Sequence, residues 1–189
     1  MDVKQAIHER RAFRSLEPIE ISAQLINELA ESAQLAPSCF NNQPWRFVFV
    51  YDSLVIEQLH SSLSSGNKWA FKASLIVAVF SNKDYDCQVG RPAREYYLFD
   101  TGMATAFLIL RATEMGLVAH PIAGFNEEIV KSVLKIPEDV TVITLVIIGK
   151  HSETISPVLS DKHAKDENKR PTRFPFESFV HLNRFKELL

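Results

Sequence analysis

Apolar residues recur along the chain in two spacings. Val3, Ala6 and Ile7 follow Asp2, while Leu25, Ile26, Leu29, Ala30 and Ala33 follow Ser22. Steps of three and four residues put each set on one face of a helix, with the preceding Asp or Ser as its cap. Pro37 stops the second helix, because the residue before a proline avoids helical dihedrals. "RFVFVY" (46–51) alternates and is rich in β-formers, so it reads as a strand, and Asp52 caps a further helix to about Leu63, ended by Ser64, Ser65 and Gly66. "SLIVAVFS" (74–81) and "VTVITLVIIGK" (140–150) are unbroken β-branched runs, which predict central strands covered on both faces.

The longest helix is expected from Pro92 to Met115, roughly 36 Å at about 1.5 Å per residue, with Gly116 as its stop. Tyr96, Phe99, Met103, Phe107 and Leu110 leave it almost no polar face, which implies burial in the core or against a second subunit. Residues 151–172 lose apolar pattern and gain charge, so they read as a long loop, and "PFESFVHLNRF" resumes a pattern in the tail. Helices and strands do not alternate strictly. One α+β layered domain over 1–189 is the expectation.

Composition narrows the function. Hydrophobic content of 46%, charged content of 23% and a net charge of -2 describe an ordinary globular domain, and 21 Lys+Arg against 23 Asp+Glu leave no basic excess for nucleic acid. Cys39 and Cys87 show no CxxC spacing and the six histidines form no HxxxH pair, so neither a metal site nor a disulfide framework is expected, and a reducing compartment fits. The opening segment has no apolar leader and no run is long enough to cross a bilayer; a cytoplasmic protein without a membrane partner is the expectation.

Candidate chemistry concentrates in "APSCFNNQPWRF" (36–47), which holds a thiol, a hydroxyl, three carboxamides and three aromatic rings, but no acid or base. The six glycines form no GxGxxG and no P-loop, so a bound phosphate has to be held by side chains: Arg10, Arg11 and Arg14 near the start, Lys169, Arg170 and Arg173 near the end. Each residue has a plainer reading. The arginine cluster can be a solvated helix end, Asn41 and Gln43 can satisfy loop backbone, Trp45 can be core, and Cys39 can be a small buried residue. Taken together, neutral amides beside rings suit a planar heterocycle such as a flavin.

Arg10-Arg11-Ala12-Phe13-Arg14, followed by Pro37-Ser38-x-x-Asn41-x-Gln43-Pro44-Trp45-x-Phe47, resembles the FMN-dependent nitroreductase family. The likeness continues in "GNKWAFKASLIVAVF", in the Asp100 to Gly116 helix, in "HPIAGF" and in "RFPFESFVH", in the family's order. The resemblance implies a mostly antiparallel central sheet flanked by helices, and a homodimer with FMN at its interface. It further implies NAD(P)H as electron donor and a small-molecule acceptor such as a nitroaromatic or quinone, in a ping-pong cycle. Carried over by position, Arg10, Arg11, Ala12 and Arg14 contact the phosphate, ribityl and pyrimidine end. Pro37, Ser38, Cys39 and Asn41 reach the flavin from the other subunit, Gln43 is a further cofactor contact, and Asn67 meets the ring edge. Ile122, Ala123 and Gly124 lie beside the ring, the last two presenting backbone N–H near its N5, while Arg173 with Arg170 holds the phosphate. The tail 173–189 packs on the dimer.

Arg14 is the candidate electrostatic catalyst, placed to stabilise the anionic reduced ring, ahead of Lys68 and Lys72. Four departures stand out: Ala12 replaces a hydroxyl residue, Ala123 stands where some members carry an acid, Phe40 where small residues are frequent, and Arg170 and Arg173 are unusually spaced. The competing expectations are a dehydrogenase or dehalogenase of the same family, a flavin- or ligand-binding dimer without turnover, and a Cys39 thiol enzyme using His120. The region from Asp84 to Arg91 and the loop after 150 are the expected substrate-selecting segments.

Overall fold

The computed structural model describes residues 1–90 and 94–185. Helix α1 (Val3–Glu9) starts where Asp2 accepts the Gln5 N–H at 2.7 Å, and α2 (Ala23–Gln34) where Ser22 accepts the Leu25 N–H at 3.1 Å. The two-residue strand β1 (Leu16–Glu17) lies between them. Strand β2 (Arg46–Val50) leads to α3 (Ser53–Leu59), capped by Asp52, and then to β3 (Leu75–Ser81). The long helix α4 (Tyr96–Glu114) is followed by β4 (Val118–Ile122), α5 (Glu127–Leu134), β5 (Thr141–His151) and α6 (Asp161–Asn168).

All strand pairings are antiparallel. Strand β3 lies between β2 and β5, and β5 also pairs with β4 and, at its end, with β1. Strand alternation then divides the core. Ile76, Ala78, Leu145 and Ile147 face a layer containing α3, α5 and Trp69, whereas Leu75, Val77, Val146 and Ile148 face α2 and α4. Both sides of β3 and β5 are therefore covered, as their unbroken apolar runs require. Every residue from Leu75 to Val79 is inaccessible to solvent.

Four elements differ from expectation. The start of α4 at Pro92 falls outside the described residues; the helix itself begins at Tyr96 and has 19 residues, about 28 Å at 1.5 Å per residue. It ends as expected at Gly116, whose φ of 76° needs a glycine. Strand β4 and helix α5 carried no pattern strong enough to predict, since Pro121 interrupts the first; the Asn126 side chain, accepting the Ile129 N–H at 3.0 Å, is the signal for the second. The largest correction concerns 151–172, which is not a loop throughout. Ser160 caps α6 within it, a polar helix whose one buried residue is Glu167.

Candidate functional site

The arginine cluster and the start of the tail form one pocket. Arg10, Arg11, Ala12 and Arg14 line a cavity of about 170 Å³ together with Asp166, Arg170, Pro171 and Arg173. These cations have two kinds of environment. Arg11 Nη2 donates to the carbonyl oxygens of Asp166 and Glu167, and Arg170 Nη2 donates to those of His8 and Arg10. Both serve the fold. The guanidinium groups of Arg10, Arg14 and Arg173 have no acceptor and no carboxylate partner among the described residues. Burial, and then the charges of Arg170 and Arg173, pull the Arg10 pKa below its ordinary value. Three cations without a carboxylate partner therefore converge on this cavity, beside one acidic residue, Asp166, a donor set that could meet an anion.

A wall continues from this pocket toward Gly124. The Phe13 carbonyl lies 3.1 Å from His120 Nδ1, and the His120 ring stacks on Trp69 at a centroid distance of 4.6 Å. Two residues before Trp69, Asn67 Nδ2 donates to the Gly124 carbonyl at 2.9 Å. A Cβ on Gly124 would meet Ser64 Oγ at 2.5 Å and Asn67 Nδ2 at 2.7 Å, so only glycine fits without displacing the amide. Ile122 is buried at the end of β4, and the N–H groups of Ala123 and Gly124 have no acceptor among the described residues.

Burial is the largest influence on His120. It pushes the pKa from 6.5 down to about 4 against the opposing bond to Phe13, with Arg14 and Arg10 lowering it further. The ring is therefore neutral at pH 7, its Nδ1–H donating to the Phe13 carbonyl. The unfolded chain takes up this proton first as pH falls, so stability is lost between about 6.5 and 4, by up to ~3 kcal/mol. In thermal unfolding series across this range, His120→Gln is expected to lack that part of the acid slope; parallel wild-type and variant curves would contradict it.

The loop 36–45 is built differently from expectation. Cys39 and Cys87 are joined by a disulfide, with Cα atoms 5.8 Å apart and a sequence separation of 48. This corrects the expectation of unpaired thiols. The loop and the segment after β3 meet because β2 and β3 pair, which spacing along the chain does not reveal. It also removes Cys39 as a free nucleophile, and the cysteines no longer argue for a reducing compartment. Reduction is expected to release two titratable thiols and lower stability by about 2–4 kcal/mol, read from denaturant unfolding with and without dithiothreitol; an unchanged midpoint counts against it.

Several expected ligand groups serve the loop itself. Gln43 N–H donates to Ser38 Oγ at 3.0 Å, and Gln43 Nε2 to the Asn41 carbonyl at 3.2 Å. The Cys39 N–H donates to Asp100 Oδ2 on α4 at 3.0 Å. These bonds hold a backbone in which Phe40, Asn41 and Gln43 adopt positive φ values of 49°, 58° and 47°. Pro37, Phe40 and the Asn41 side chain remain exposed, and none of this loop lines the arginine pocket of the same protomer. Trp45 is core, packed with Leu75 and Val77.

The model of the nitroreductase family matches residues 7–68 and 56–150. The chain belongs to the nitroreductase family. Among relatives, protein DrgA of Synechocystis is 26% identical, the match covering 97% of each chain. The NADH dehydrogenase of Thermus thermophilus is 24% identical over 81% of this chain and 88% of its own. A solved oxidoreductase containing FMN superposes with a TM-score of 0.83 at 26% identity, over 98% of this chain and 94% of that one. The antiparallel sheet flanked by helices is thus the nitroreductase fold, and the matched span takes in the arginine cluster, the 36–45 loop and the Gly124 strand end. No helix among the described residues is long and apolar enough to cross a membrane.

Proposed function

We propose that this nitroreductase-family chain is an FMN-dependent oxidoreductase that takes electrons from NAD(P)H and passes them to a small acceptor such as a nitroaromatic or quinone. The carrying observation is the set of unpartnered guanidinium groups of Arg10, Arg14 and Arg173 around one cavity. These suit a phosphate, and the acceptor-free amides of Ala123 and Gly124 suit the edge of a flavin. When bound, FMN supplies hydride transfer, so the chain needs no acid or base of its own. Its residues bind and orient. Arg10 and Arg173 hold the phosphate, Asn67 fixes Gly124 so that the neighbouring amides face the ring, and Arg14 offsets the negative charge of the reduced state. Donor and acceptor use one opening in turn.

The second half of each site comes from a partner copy in this reading. The loop residues expected at the flavin stand apart from the arginine pocket of their own protomer, with Pro37, Phe40 and Asn41 directed outward. A largely apolar cleft of about 340 Å³, lined by Val3, Ala6, Leu35, Phe107 and Leu110 with Arg111 and Glu114 at its side, is open to solvent. Phe174, Phe176 and Phe179 in the tail are also exposed. A homodimer would cover them.

The test is a visible spectrum of the purified protein followed by anaerobic titration with NADH and NADPH, for wild type and Arg14→Ala. The expected outcome is a yellow dimer bleached by at least one donor, with a lower reduction potential in the variant. A protein unable to take up FMN would sink the proposal. Bound flavin that neither nucleotide reduces would leave a binding dimer, and an unchanged potential would remove Arg14 from its role.

A further inference from the structure

Glu167 lies in the last turn of α6, far in sequence from the arginine cluster, yet its carboxylate is directed into it. One oxygen accepts the Arg14 N–H at 2.9 Å and the other the Ser15 N–H at 3.0 Å. The residue is only 6% exposed. A carboxylate this buried needs charge-assisted donors, and the two amides, in neither helix nor sheet, need an acceptor. His151 is a weaker partner, with Nε2 at 3.6 Å, beyond hydrogen-bonding range. The bonds run in both directions: Arg11 reaches from the N-terminal loop to carbonyls at the end of α6, and Arg170 reaches back to His8 and Arg10.

We infer that Glu167 is a positioning residue for the anion pocket, and that docking of α6 onto residues 8–15 assembles that pocket. Arg10 and Arg14 belong to the first segment and Arg173 follows the second, so the three free cations converge only when the segments are joined. Their mutual repulsion opposes the docking, and Glu167 with its reciprocal hydrogen bonds sustains it. An anion in the cavity relieves the repulsion, so phosphate binding and α6 docking favour one another. This inference rests on the flavin reading for its natural ligand, but not for its mechanism.

The experiment has two arms. In the first, FMN and riboflavin are titrated into apoprotein by flavin fluorescence for wild type, Glu167→Gln and Glu167→Ala. Gln retains one acceptor and loses the charge, so the expected FMN weakening is roughly 10-fold for Gln and roughly 100-fold for Ala, with riboflavin, which lacks the phosphate, changed far less. Equal losses for both ligands, or none for FMN, overturn the inference. In the second arm, trypsin cleavage after Lys162, Lys165 and Lys169 is followed in apoprotein with and without inorganic phosphate. Phosphate is expected to slow cleavage in wild type and much less in Glu167→Gln. If wild type binds no flavin at all, the flavin reading fails while the phosphate arm still decides. If Glu167→Ala does not fold, Glu167→Gln and wild-type hydrogen exchange at the Arg14 and Ser15 amides carry the test. Phosphate-independent exchange and cleavage would overturn the proposal.

Discussion

Replacing Arg10 and Arg173 together with Ala is expected to weaken FMN binding by roughly 100- to 10,000-fold while leaving the fold intact. Each charge-assisted contact with phosphate contributes about 1.5–3 kcal/mol, and about 1.4 kcal/mol corresponds to a factor of ten. Neither guanidinium bonds to protein among the described residues, so removing both strands no buried carboxylate and relieves their mutual repulsion, and unfolding midpoints of the apoprotein should not fall. Arg11→Ala and Arg170→Ala should behave in the opposite manner, because those side chains join α6 and the tail to residues 8–11 and their loss disturbs stability as well as binding. Equilibrium dialysis of FMN with each variant, beside its thermal unfolding curve, makes the comparison. FMN retention by Arg10→Ala/Arg173→Ala equal to wild type would remove the phosphate assignment.

Trp69→Ala is expected to cost about 3–5 kcal/mol, and so to lower the unfolding midpoint by about 6–20 °C for a chain of this length. The indole is 1% exposed, packs in the layer beneath β3 and β5, and supports His120 by stacking. Its loss removes a large buried surface and the support for the Phe13 carbonyl contact together. Trp69→Phe distinguishes the contributions. The indole N–H is buried with no acceptor among the described residues, so Phe gives up ring area but also an unsatisfied donor, and about 1–2 kcal/mol is expected. Calorimetric scans of the two variants check both values. A Phe variant as unstable as the Ala variant would mean that this N–H does have a partner in solution.

Much of the scaffold was legible in local pattern. Asp2, Ser22 and Asp52 cap the helices they were expected to cap, because an N-cap bond spans two or three residues and is written in consecutive sequence. The runs 74–81 and 140–150 became the two inner strands for the same reason: burial on both faces leaves a continuous apolar signature. Helix α6 was not legible. It has a local cap in Ser160 but almost no apolar face, and its placement involves Glu167 meeting the amides of Arg14 and Ser15 more than 150 positions away. The Cys39–Cys87 bond has no local signature either, since it depends on the antiparallel return of β3 along β2.

The sequence by itself therefore determined the starts of α1, α2 and α3, the central strands, the family motif and the set of arginines near each end. It could do so because caps, strand burial and motif spacing are local properties. Only the tertiary structure decided which arginines are spent on backbone carbonyls and which stay free, and that Gln43 and Ser38 bond within their own loop. A side chain's partner is set by what folding brings beside it, and two guanidinium groups identical in sequence terms become a structural tie or a ligand site according to whether a carbonyl lies within hydrogen-bonding distance.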